Sequence, residues 1–183
     1  MRTRCGWVAV AVIFTFLHPF LHQARAGESD LNITCEKKRM ELRGGARNAN
    51  SDVIKKSEQW GYTVSVENQG FSDLSNLQVK YIIYYKHEEL GIKGPPQKKT
   101  KTGAYTIDKI NSLDKTSFNT DSVTLKKASL VGPVGGYEFF GNGAKPSVAD
   151  TLDGLWVRIY KDGNLLGEFA YPAGLTSSET WQE

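Results

Sequence analysis

Residues 59–67 read QWGYTVSVE, with Trp60, Tyr62, Val64 and Val66 on one parity and Gly61, Thr63, Ser65 and Glu67 on the other. Successive side chains of an extended chain point to opposite faces, so the alternation describes a half-buried β-strand. Asn68-Gln69-Gly70 then supplies turn chemistry, and residues 77–86 place Leu77, Val79, Tyr81, Ile83 and Tyr85 on a second core parity. The opposite parity of that strand carries Ile82 and Tyr84 beside Gln78, Lys80 and Lys86, so its outer face is itself partly apolar.

Upstream, Leu31, Ile33 and Cys35 alternate in a first strand, followed by a polar connector over residues 44–57. Downstream, residues 90–101 (LGIKGPPQKKTK) read as a loop or edge connection, because proline cannot serve a central ladder; Lys93, Lys98, Lys99 and Lys101 are expected there in solvent. Short strands are expected over 105–110 and 117–126. Residues 132–154 form a long excursion with six glycines and two prolines, in which 146–152 fit one helical turn. Residues 155–160 and 165–171 flank Asp162-Gly163, a strong hairpin signal. With no long amphipathic helix, the pattern is all-β: an antiparallel sandwich of about seven strands with one long loop.

Residues 1–26 have the layout of a secretory signal peptide: Arg2 and Arg4 at the start, an apolar run over 7–17, and Ala24-Arg25-Ala26 before Gly27. That run is shorter than the roughly 20 residues a membrane span requires. The expectation is a signal peptide over 1–26 and one sandwich domain over 27–183, secreted or periplasmic, with no membrane insertion after signal removal. The first 26 residues hold three of the 23 basic residues and none of the 20 acids, leaving a nearly neutral domain. That balance gives no support for a nucleic acid partner. Cys35 and His87 are the single cysteine and single histidine of residues 27–183, which excludes an intramolecular disulfide and a multi-ligand His/Cys zinc site. Cys35 shares its parity with Leu31 and Ile33, as a small buried hydrophobe would.

Chemical motifs are scarce. Gly136 and Gly141 have the spacing of a phosphate loop, but Asn142-Gly143 stands where Lys-Ser/Thr is required. Asp162-Gly163-Asn164 is explained as a turn rather than a calcium loop. Glu88 and Glu89 are adjacent and diverge on an extended segment. No catalytic residue, cofactor or metal site is expected. The competing class is a secreted hydrolase acting on polysaccharide through carboxylates such as Asp150 and Asp153.

The strand over 155–160 carries a more informative pattern. With Leu155, Val157 and Ile159 in the core, Trp156, Arg158 and Tyr160 line the outer face. Aromatic residues and arginine are the types enriched at binding hot spots. If this strand shares a sheet with residues 77–86, Ile82 and Tyr84 join the row. Tyr84, Trp156, Arg158 and Tyr160 are therefore the candidate binding residues, for an envelope protein, a glycan or a second copy of the chain. The alternative is that Tyr137, Phe139 and Phe140 of the long loop fold back and cover the face.

The motif Tyr62-Thr-Val-Ser-Val-Glu-Asn68-Gln-Gly70, with Leu77-Gln-Val79-Lys-Tyr81, resembles immunoglobulin-like or fibronectin-III-like domains of small exported bacterial proteins. Ser112-Leu113-Asp-Lys-Thr-Ser-Phe118 before Val123-Thr-Leu125, and Gly154-Leu-Trp156-Val-Arg158-Ile-Tyr160 with Asp162-Gly163, extend that similarity to about residue 175. The resemblance implies an immunoglobulin-like sandwich and a non-catalytic binding or structural role in the bacterial envelope.

Overall fold

The computed structural model describes residues 30–43, 53–130 and 145–181. The expected signal peptide, the phosphate-loop spacing at Gly136 and the aromatics Tyr137, Phe139 and Phe140 lie outside the described residues.

Among the described residues nine strands follow one another: β1 (Leu31–Arg43), β2 (Val53–Asn68), β3 (Leu74–His87), β4 (Gln97–Ile110), β5 (Lys115–Asn119), β6 (Val123–Leu130), β7 (Ser147–Ala149), β8 (Thr151–Lys161) and β9 (Asn164–Tyr171), with one helical turn, α1 (Leu175–Ser178). They form two antiparallel sheets. The first runs β1-β2-β6-β7, with β5 also paired to β2; the second runs β4-β3-β8-β9. The all-β sandwich expected from the alternation is what the chain forms.

The core is built from the parities read in the sequence. Tyr62, Val64 and Val66 of β2 meet Leu77, Val79, Tyr81 and Ile83 of β3 and Leu155, Val157 and Ile159 of β8, joined by Leu31, Ile33, Ile107, Phe118, Val123 and Leu125. Each aliphatic side chain removed from water contributes roughly 2 kcal/mol, offsetting the conformational entropy the strands lose. Asn68 is buried at the end of β2 and organises the turn that follows. Its amide donates to the carbonyls of Ser72 (2.8 Å) and Asn111 (3.1 Å), and its Oδ1 accepts from Gly70 N at 3.0 Å. The β8–β9 hairpin closes through Asp162 and Gly163, both at positive φ (50° and 79°), the geometry a two-residue turn requires.

Several boundaries differ from the sequence reading. β2 begins at Val53 rather than after residue 57, because β6 pairs along its whole first half, from Val53 opposite Leu130 to Trp60 opposite Val123. The expected single strand over 117–126 is two strands, β5 and β6. Between them, Thr120 receives Tyr62 N on its Oγ1 (3.0 Å), and Asp121 N donates to the Tyr81 hydroxyl (2.8 Å). β4 starts at Gln97, so Lys98, Lys99 and Lys101 sit on an edge strand paired to β3 rather than in a loop. The helical turn expected over 146–152 is instead β7 and the start of β8, with Lys127 opposite Ala149 in the ladder.

Candidate functional site

The second sheet brings together the four residues singled out from the sequence. Register sets Ile82 opposite Trp156, Lys80 opposite Arg158, Gln78 opposite Tyr160, and Tyr84 opposite Gly154. Leu155, Val157 and Ile159 are fully buried, so Trp156, Arg158 and Tyr160 do share the outer face.

That face is not bare along its length. Tyr84 and Trp156 are each only 5% exposed, and they form a second small core with Ile82, Leu175 and Trp181. Of the four candidate residues, these two are covered rather than open. The cover is the C-terminal segment after β9. Trp181 meets Trp156 edge-on at 5.5 Å and 78°. The Arg158 guanidinium lies 4.4 Å from the Trp181 ring centre and 5.3 Å from that of Trp156. Glu168 on β9 accepts from Trp156 Nε1 at 2.9 Å and from Arg158 Nε at 2.6 Å. Gly154 makes the cover possible, since a Cβ there would stand 2.5 Å from the Tyr171 carbonyl and 3.0 Å from Leu175.

The other half of the row stays accessible. Arg158 and Tyr160 are half-buried, and the Lys80 ammonium sits 5.5 Å above the Tyr160 ring. Burial opposes the charge on Arg158. Hydrogen bonds and attraction from Glu168 and Tyr160 outweigh it and hold the guanidinium pKa above its ordinary value. An amphipathic strip remains: a tyrosine carrying a lysine, beside an arginine whose planar face rests on tryptophan.

The carboxylates considered for hydrolysis have other partners. Asp150 has a side chain only 2% exposed; its Oδ1 accepts from His87 Nδ1 (2.8 Å) and Glu88 N (3.1 Å), and its Oδ2 from Lys126 N (2.9 Å). It thereby ties the end of β3, in one sheet, to β6 in the other. Asp153 pairs with Lys86 at 2.7 Å. The sequence singled out Asp150 and His87 separately but gave no sign of their contact, because 63 residues separate them. Cys35 is half-buried against the core, and burial pushes its thiol up to about 11. Among the described residues, no group of three or more His, Cys, Asp or Glu side chains is placed to hold a metal ion.

No protein-family model and no curated protein matches the chain. Among solved structures, it is similar at 8% identity and a TM-score of 0.33 to a Northeast Structural Genomics Consortium target, over 84% of this chain and 96% of that one. A protein from Akkermansia muciniphila gives 13% identity and a TM-score of 0.29, over 84% and 78% of the two chains. Likenesses this weak bear on neither fold nor function.

Proposed function

We propose that this chain is an exported, non-catalytic binding module of the bacterial envelope, immunoglobulin-like or fibronectin-III-like in kind. It engages a protein or glycan through the outer face of the β4-β3-β8-β9 sheet. The observation that carries this reading is the half-open row of Arg158, Tyr160 and Lys80, continuous with aromatics that the chain's own tail already occupies. A surface whose arginine and tryptophan already seat the tail's Trp181 has the chemistry to bind a partner's aromatic or sugar ring beside it. The grouping of β3, β8 and β9 in one sheet supports kinship with immunoglobulin-like sandwiches, where the third, sixth and seventh strands sit together. The engagement of Asp150 by three donors and of Asp153 by Lys86 favours structural roles for both over a hydrolytic pair.

Affinity capture from a bacterial envelope fraction tests the reading, comparing the full chain with Tyr160→Ser. Tyr160 is half-buried and outside both cores, so the variant should keep its melting temperature. A partner recovered by the unmodified chain and lost with Tyr160→Ser supports the outer face. Equal recovery by both removes it.

A further inference from the structure

The inner face of the first sheet continues past the core. Along β2, the parity of Tyr62, Val64 and Val66 runs back through Trp60 and Glu58 to Lys56; along β6, the parity of Val123 and Leu125 runs on to Lys127. The ladder sets Lys56 directly opposite Lys127. Like charges at opposed cross-strand positions destabilise a sheet. A second pair in the same molecule shows the usual relief: Lys86 lies opposite Lys98, and each has its own acid, Asp153 and Glu179 respectively.

Lys56 and Lys127 have no acid partner among the described residues. Glu88 is taken by Lys145 at 2.8 Å, and Glu58 accepts from Trp60 Nε1 at 2.8 Å. Protection of a sheet edge does not explain Lys127, which is itself paired to Ala149 of β7, while Lys56 lies one residue beyond the β1 ladder, which ends at Ser57. The two lysines border a cleft of about 590 Å³ that also contains Lys55, Lys126, Glu89 and His87. A hollow of about 380 Å³ shares His87 and Lys126 with it and adds Lys99 and Lys101 from β4. With Asp150 consumed by His87 and two backbone amides, Glu89 is, among the described residues, the acid left in these linings against Lys56 and Lys127 on the inner parity and Lys99 and Lys101 on β4, with Lys55 and Lys126 on the outward parity of their strands. A local rule broken without compensation is the mark of a functional surface, and a concave wall concentrates the resulting positive field.

We infer that this cleft binds an acidic polysaccharide. Successive anionic sugars meet Lys56 and Lys127 and then, beyond His87, Lys99 and Lys101. Two adjoining hollows with lysines spread over β2, β4 and β6 suit a chain of spaced charges better than one small anion. Leu90 and Val148 give the apolar walls on which sugar rings pack. Asp150 fixes His87 through Nδ1, leaving Nε2 as the nitrogen for a sugar hydroxyl or anionic group. Among the described residues Tyr85 is the one tyrosine, phenylalanine or tryptophan in the two linings, too little for stacking successive nucleobases. This surface draws on both sheets but shares no residue with the row of Lys80, Arg158 and Tyr160, so each can fail without the other.

Titration calorimetry on the full chain tests the inference, in about 0.15 M salt, with polygalacturonate, dextran sulfate, neutral dextran and poly-glutamate as probes. At least one acidic polysaccharide should bind while neutral dextran does not. Affinity should fall about tenfold or more in Lys56→Gln/Lys127→Gln and stay within about twofold in Lys115→Gln, on β5 away from the cleft. The double variant should melt no lower than the unmodified chain, because an opposed pair of charges is gone. Lys127→Glu, which turns repulsion into attraction across the ladder, should melt higher and lose binding. No binding of either acidic polysaccharide, unchanged affinity in both cleft variants, or poly-glutamate binding as tightly as the polysaccharides would overturn it.

Discussion

Asp150 is a buried carboxylate held by three donors, and its removal leaves two backbone amides and an imidazole without their acceptor. Asp150→Ala is expected to cost on the order of 3 kcal/mol, read as a lower urea midpoint, with a smaller loss in Asp150→Asn. In the sequence, Asp150 looks like any loop acid, since Lys126 and His87 are 24 and 63 residues away. Cys35 was readable, because its parity with Leu31 and Ile33 already placed it against the core. With its pKa pushed up to about 11, only roughly one thiol in a thousand is ionised at pH 8, so a disulfide reagent should label it far more slowly in the folded chain than in urea. The folded chain keeps a proton that the unfolded chain releases, so stability falls as pH rises from the ordinary cysteine value toward 11, and Cys35→Ala should flatten that part of the pH profile.

At the scale of elements, alternation revealed β2, β3, β8 and β9, because each buries one face and leaves the other half wet. β4 was underestimated: its pairing to β3 extends over residues such as Lys99 and Thr100 that lack any apolar period. The β5–β6 break was unreadable for a related reason, since both halves pair to β2 and the interruption rests on Thr120 bonding to Tyr62. The tail was the largest omission. Residues 172–181 are short and mostly polar, and only Leu175 and Trp181 hint that they seal Ile82, Tyr84 and Trp156. Trp181→Ala should lower stability by about 2 kcal/mol, from the loss of one aromatic pair and one cation–π contact, and should shift Trp156 fluorescence to the red. An unchanged melting curve and spectrum would show that the tail does not cover the sheet in solution.

For the whole molecule, the sequence was sufficient for an all-β sandwich and for placing Trp156, Arg158 and Tyr160 on one outer face, since strand parity determines both. Which part of that face is open depends on a segment that returns from the far end of the chain, and parity says nothing about that. On the proposed function, partners are met on the uncovered half of the second sheet. The most direct measurement is lysine acetylation followed by mass spectrometry, on the free chain and on the complex recovered by capture. Binding at this face predicts that Lys80 loses most of its reactivity in the complex, while Lys109 and Lys115 react as before. Unchanged labelling of Lys80, with protection confined to lysines of the first sheet, would contradict it.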